Sequence, residues 1–210
     1  MKKTAYLYVL DTMADWESAF LTAELHSTRY FKKGAPEFCV QTVGINKNPI
    51  TTMGGIRIIP NVSVNEITAD NCGLLILPGG DTWLEPMHDP ILDKALELLK
   101  YNIPVAAICG ATMGLAQKGM LDHCNHTSND LNYLKAVCPN YKGEEFYQRK
   151  DAVVAGNLIT ATGVAPLEFS RCVLEHLDVF SPVTLKAWYE LYKTKEPESF
   201  YALMESLGVE

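Results

Sequence analysis

Pro104-Val105-Ala106-Ala107-Ile108-Cys109-Gly110-Ala111-Thr112-Met113-Gly114-Leu115-Ala116 decides how this chain folds. The first five residues read as a short buried strand, and the small residues after Cys109 lead into a helix. A strand that turns sharply into a helix with a nucleophile at the apex is a nucleophile elbow. The turn pushes the side chain out of the core, and Gly110 and Ala111 are small enough to allow it. Free N–H groups and the positive end of the following helix favour a thiolate. The expectation is therefore a Cys109 pKa well below the ~8.5 of an ordinary thiol. The structural alternative is a cysteine that simply packs at a strand end, as free cysteines often do.

Working outward, Thr4 to Leu10 reads as a first central strand and Phe38 to Val43 as a second. Asp15 is placed to cap a helix carrying Trp16, Phe20, Leu21 and Leu25, with Glu17 in its first turn. Leu74 to Leu77 is wholly apolar, as in a parallel strand buried on both faces, and it empties into Pro78-Gly79-Gly80-Asp81. Helices are expected over Ile91 to Leu99 and Asn129 to Val137, from Pro166 towards Asp178, and from Ser181-Pro182 onward. Gly54-Gly55 within Ile50 to Ile59, and Gly156-Asn157 between Ala152 to Val154 and Leu158 to Ala161, signal two β-hairpins. Phe200, Leu203, Met204 and Leu207 form one face of a last amphipathic helix that Gly208 can end. Strands alternating with helices predict an α/β sandwich with a mostly parallel central sheet and two hairpin additions. The whole chain, 1–210, reads as one domain with a helical extension over about 181–208.

The 210 residues carry a net charge of −7 with no basic stripe, which disfavours nucleic acid as a partner. No apolar run approaches the ~20 residues needed to span a bilayer. Lys2-Lys3 before Thr4 to Leu10 has the outline of a signal peptide, but Asp11 ends the run early and no small-residue cleavage site follows. A cytoplasmic protein is expected. The six cysteines are scattered without a C-x-x-C pair, so reduced thiols are the expectation.

A cysteine nucleophile needs a proton partner and donors for a developing oxyanion. In an open α/β sheet such groups gather at the carboxyl ends of the strands, where the segments at Asp11 to Glu17, Pro78 to Asp81 and Cys109 to Ala111 all end. Glu17 is the candidate acid, with a surface glutamate near a helix start as the structural alternative. Backbone N–H groups at Gly79, Gly80 and Gly110 are candidate oxyanion donors, though glycines equally serve a tight turn. His126 is the histidine best placed to return to the crevice as second acid/base. His123-Cys124-Asn125-His126 lacks the further ligands of a zinc site, so no metal is expected. Neither G-x-G-x-x-G nor a Walker A motif occurs, and no cofactor is expected.

Ala14-Asp15-Trp16-Glu17, Leu77-Pro78-Gly79-Gly80, Ala107-Ile108-Cys109-Gly110-Ala111, His126-Thr127-Ser128-Asn129 and Asn157 to Gly163 with Pro166-Leu167-Glu168-Phe169 occur in this order. Together they resemble the ThiJ/PfpI superfamily, the flavodoxin-like relatives of class I glutamine amidotransferases. The resemblance implies a flavodoxin-like three-layer sandwich, a strained cysteine elbow, an acid bonded to that cysteine at the position of Glu17, and a homodimer. Gly110 stands where peptidase members carry histidine, and no His-x-Glu follows in the region Gly163 to Glu168 as it does in glutaminases. The branch implied is the one with a separate loop histidine. The leading expectation is a cysteine-dependent enzyme acting on a small carbonyl or amide substrate, of glyoxalase, deglycase or hydrolase type. A thiol redox or stress sensor or chaperone is the second reading, and an amidase, peptidase or amidotransferase-like protein the third.

Overall fold

The computed structural model describes residues 3–208. Its centre is β6 (Cys72–Leu77) and β7 (Val105–Ile108), in which every residue is buried. Strands this apolar need cover on both faces, and the chain supplies it by continuing into a helix after each of these two strands. Burying each Leu or Ile side chain of this centre contributes about 1.5–3 kcal/mol.

Around this centre the seven-stranded sheet runs β5 (Val62–Ser63), β2 (Phe38–Gly44), β1 (Lys3–Tyr8), β6, β7, β9 (Leu158–Ala161), β8 (Ala152–Ala155). All neighbours are parallel except the β8–β9 pair. The chain passes from β1 to β2 on one side and later fills β6 on the other. The order therefore reverses between β1 and β6, and the crevice beyond their carboxyl ends is where such sheets bind ligands.

The helices are α1 (Ala19–Ser27), α2 (Asp89–Lys100), α3 (Ala111–Gln117), α4 (Leu131–Val137), α5 (Pro166–His176), α6 (Pro182–Thr194) and α7 (Pro197–Ser206). Proline occupies the first position of α5, α6 and α7, and Ser181 caps α6 by accepting the Thr184 N–H at 3.1 Å. Lys118, just past α3, bonds Asp89 and Asp93 of α2. The expected mostly parallel α/β sandwich is the fold observed.

Three local expectations are corrected. Asp15 does not cap α1, whose N-cap is Ser18. Its carboxylate instead takes the Thr52 hydroxyl at 2.6 Å and the Gly54 N–H at 2.7 Å, and these bonds hold its pKa below the usual range. Asp15 thus pins the small antiparallel sheet of β3 (Ile50–Thr51) and β4 (Arg57–Ile58) against the β1 loop. Glu17 lies in the turn before α1, not in its first turn. The second hairpin is half inside the main sheet: β9 is a fully buried strand parallel to β7, and β8 alone is the antiparallel edge.

Helix α6 docks on α1 through a buried carboxylate. Glu24 of α1 accepts the Trp188 indole N–H of α6 at 3.0 Å and pairs with Arg29, while Phe20 packs edge-on against Trp188 and Tyr192. Leaving a buried indole N–H without a partner costs about 1–3 kcal/mol. Glu24→Ala is therefore expected to lower the melting temperature by roughly 4–8 °C, read by circular dichroism. An unchanged melting temperature would mean that this contact does not hold α6 on α1.

Candidate functional site

Cys109 occupies the left-handed region with φ +59°. Holding a non-glycine residue there costs about 1–3 kcal/mol, and a set of bonds fixes it. Its N–H donates to the Ala161 carbonyl at 3.0 Å, and its own carbonyl accepts the Thr112 N–H at 3.1 Å and the Thr112 hydroxyl at 2.6 Å. Thr112 is buried and bonded to the Ser128 hydroxyl at 2.7 Å. Gly110 has no room for a side chain: a Cβ there would lie 2.8 Å from the Gly80 carbonyl and 3.0 Å from Trp83. These contacts are the physical reason for the small residues after the cysteine.

Glu17 is fully buried against this elbow. Its turn is tied over β6 by the Ala14 N–H on the Gly79 carbonyl at 3.0 Å. One carboxyl oxygen, Oε2, accepts the Gly79 N–H at 2.5 Å. The other, Oε1, has no partner of ordinary hydrogen-bond geometry, yet the carboxyl and the thiol are close enough to shift each other's titration. Gly163 closes the space over both: a Cβ there would lie 2.6 Å from Sγ and 3.1 Å from Oε1.

Burial pushes the Glu17 carboxyl up to about 7, against the opposing pull of the Gly79 N–H and the thiol. Burial also pushes the Cys109 thiol up to about 11; the Asn129 bond pulls it down, the charge on Glu17 adds to the rise, and the Gly110 N–H opposes it. The expected low-pKa thiolate is thus corrected. The helix start that was to favour it belongs to a seven-residue helix, and withdrawal from water outweighs it. Burial thus keeps the sulfur protonated beside a carboxyl whose pKa is raised towards neutrality, which suits a base that takes the thiol proton during attack.

Asn129 completes the grip on the sulfur. Its Nδ2 donates to Sγ at 3.2 Å while its Oδ1 accepts the Gly163 N–H at 2.8 Å. The sequence reading passed over Asn129 in favour of His126, three residues earlier in the same motif.

The structure places His126 elsewhere. It is fully buried, and burial lowers its pKa, so the ring is neutral at pH 7. Nδ1 lies 2.8 Å from the Cys124 carbonyl, which only accepts, so Nδ1 carries the proton. Nε2 then accepts the Tyr141 hydroxyl at 2.6 Å. With both nitrogens committed, His126 packs the loop and has no bond to Cys109 among the described residues. Of the three glycines, Gly79 has spent its N–H on Glu17. Gly80 and Gly110 lie against each other, neither N–H has a backbone acceptor among the described residues, and that of Gly110 is directed at the Cys109 thiol. All six cysteines are free, and no group of three His, Cys, Asp or Glu side chains converges to hold a metal among the described residues. Among those residues no helix is long and apolar enough to cross a membrane.

The sequence pattern of the DJ-1/PfpI family matches residues 3–176. A Bacillus subtilis protein named "uncharacterized protease YoaZ" is 54% identical over 98% of both chains. The crystal structure of a thiJ/pfpI family protein from Bacillus anthracis superposes with a TM-score of 0.95 at 55% identity, covering 98% of this chain and 97% of that one. A Caenorhabditis elegans protein named "glutathione-independent glyoxalase DJR-1.2" is 24% identical over 64% of this chain and 71% of its own.

The buried carboxyl carries a stability signature. Its folded pKa lies above the unfolded value of 4.5, so the folded chain binds that proton more tightly. The resulting stabilisation is complete below pH 4.5 and is lost as pH rises through about 7. It amounts to about 3 kcal/mol. Glu17→Gln keeps the shape and removes the titration, so urea melts are expected to show it close to wild type at pH 4 and more stable by up to about 3 kcal/mol at pH 8. An equal gap at both pH values would contradict a buried, proton-binding Glu17.

Proposed function

The chain belongs to the DJ-1/PfpI family, and from that premise we propose that it is a cysteine-dependent enzyme acting on small carbonyl compounds. The observation that carries this reading is the pairing of a strained, half-buried cysteine with a buried carboxyl pushed up to about 7. A base of that strength matches neutral pH, where proton transfer is most effective. Ionised Glu17 takes the thiol proton as Sγ attacks the carbonyl carbon. The S–C bond forms, the C=O π pair moves onto oxygen, and the N–H groups of Gly80 and Gly110 hold that oxyanion. Protonated Glu17 then returns the proton to the alkoxide, giving a hemithioacetal with Glu17 again ionised. Asn129 holds the sulfur in line throughout.

In a glyoxalase-type continuation on a 2-oxoaldehyde, Glu17 removes the C–H proton of that adduct and returns it to the neighbouring carbonyl carbon, while the adduct's hydroxyl proton passes to that carbonyl's oxygen. This yields a thioester that water cleaves to the hydroxy acid. The activity in the name of the nematode relative supports this direction. Peptide hydrolysis is the second reading, supported by the name of the Bacillus subtilis relative. It would require Glu17 to serve both as base for attack and as acid for amine departure.

The test is turnover of a 2-oxoaldehyde and of a fluorogenic peptide amide by wild type, Cys109→Ala and Glu17→Gln. Aldehyde turnover is expected to vanish in Cys109→Ala and to fall by about 10²- to 10⁴-fold in Glu17→Gln. The wild-type kcat is expected to rise with pH through about 7 as Glu17 ionises. Aldehyde turnover that survives Cys109→Ala overturns the proposal. Amide turnover that is lost in that variant, without any aldehyde turnover, puts the peptidase reading first.

A further inference from the structure

Among the described residues six non-glycine positions have a positive φ. Thr28, Asn102, Asp178 and Lys195 lie just past the ends of α1, α2, α5 and α6, where a left-handed residue ordinarily closes a helix. Cys109 is the nucleophile. Thr12, at φ +64°, closes no helix: it lies in the loop after β1, at the carboxyl end of the sheet. A β-branched side chain in this conformation is a genuine outlier. Strain of this kind beside a site points to a role for the residue that carries it.

The Thr12 hydroxyl oxygen accepts the Asp81 N–H at 2.8 Å. Two residues on, the Ala14 N–H donates to the Gly79 carbonyl at 3.0 Å. A trans peptide unit is a rigid plane whose C=O and N–H point opposite ways. The Gly79–Gly80 plane is therefore held through its oxygen, and the Gly80–Asp81 plane through its nitrogen. One short loop grips both planes beside Gly80. The first grip aims the Gly80 N–H away from Ala14. The second turns the Gly80 carbonyl away from Thr12 and towards the elbow, where a Cβ on Gly110 would lie 2.8 Å from it. Glycine turns such planes more freely than any other residue, so Gly80 depends on these grips to keep its aim.

Thr12 is anchored on its far side by the β3–β4 hairpin. Its N–H donates to the Thr51 carbonyl at 2.9 Å, the Thr51 N–H donates to the Asp11 carboxylate at 2.8 Å, and the Met53 N–H donates to the Met13 carbonyl at 2.9 Å. These bonds hold the loop in the strained conformation that presents the hydroxyl to Asp81. A glycine at position 12 would adopt that conformation without strain and would leave the Asp81 N–H without this acceptor.

We infer that Thr12 is a positioning residue for Gly80, the oxyanion donor. Its hydroxyl locks the Gly80–Asp81 plane, so the Gly80 N–H is already aimed when negative charge develops on the substrate oxygen and nothing has to reorganise during attack. Thr12 acts through Gly80 rather than on the reacting atoms. The inference rests on the enzyme reading above and deepens it.

The test compares wild type, Thr12→Val, Thr12→Gly and Thr12→Ser in the full-length protein. Amide hydrogen exchange is followed by NMR, and turnover is measured on the 2-oxoaldehyde and the peptide amide, since both reactions pass through an oxyanion. Thr12→Val keeps the branched shape and loses the acceptor. It is expected to speed exchange at the Asp81 amide by about five-fold or more. It is also expected to lower kcat by about ten-fold or more with KM little changed, the mark of an interaction made in the transition state. Thr12→Gly is expected to lose kcat likewise, while Thr12→Ser, which keeps the hydroxyl, retains both the exchange rate and kcat. Alkylation of Cys109 by iodoacetamide forms no oxyanion, so its rate is expected to be the same in all three variants as in wild type. Wild-type kcat or an unchanged Asp81 exchange rate in Thr12→Val overturns the inference. So does a loss of kcat in Thr12→Ser, or an alkylation rate that falls together with kcat, which would mean a collapsed site. Failure of the enzyme reading is visible separately, as wild type that turns over neither substrate. Faster Asp81 exchange in Thr12→Val then still upholds the lock on Gly80, and an unchanged rate overturns it.

Discussion

A carboxyl withdrawn from water and pressed against a thiol is the interaction on which the site depends. Glu17 is fully buried, its Oε2 held by the Gly79 N–H and its Oε1 left to face Cys109. Burying an ionised carboxylate this way is costly, so the group keeps its proton to about pH 7. The glycines around it follow from that contact. A side chain at Gly79 would meet the Glu17 carboxyl at 2.7 Å, and one at Gly163 would meet Sγ at 2.6 Å. The pair needs a space without Cβ atoms on two sides, and two separate loops supply it.

The rest of the fold serves as a rigid frame for that pair. Cys109 is held at φ +59° because its main-chain groups are bonded on both sides, to Ala161 of β9 and to Thr112 of α3. Thr112 is in turn bonded to Ser128, one residue before the Asn129 that grips the sulfur. Strain at the apex is tolerated because buried strands on either side leave it no way to relax. The Glu17 loop comes from the other side of the sheet reversal, so the site is assembled where three strand ends meet.

Much of this was legible in the sequence, for identifiable reasons. Strands such as Leu74 to Leu77 and the Pro104 to Ile108 run announce themselves by wholly apolar composition, and the helix starts at Pro166 and Ser181-Pro182 by their capping chemistry. Cys109 was legible because an elbow requires small neighbours in sequence. Asn129 was not, because its role depends on where a polar loop turns, and one or two residues decide which side chain faces inward. The same ambiguity favoured His126, whose ring is turned away to Cys124 and Tyr141. The Asp15 bonds to Thr52 and Gly54 were hidden for a different reason: a residue before a helix reads as a cap unless the hairpin that claims it is seen in space. The thiol pKa was misread because sequence shows the helix start but not the depth of burial, and burial wins.

The most direct measurement is the titration of the Glu17 carboxyl carbon by NMR in ¹³C-labelled protein, assigned against Glu17→Gln. A midpoint near pH 7 that moves when Cys109 is replaced by alanine is the expected result, since burial raises it and the thiol is among its neighbours. A midpoint near the ordinary 4.5, indifferent to the cysteine, would contradict a carboxyl held by burial against the thiol and leave Cys109 without its base.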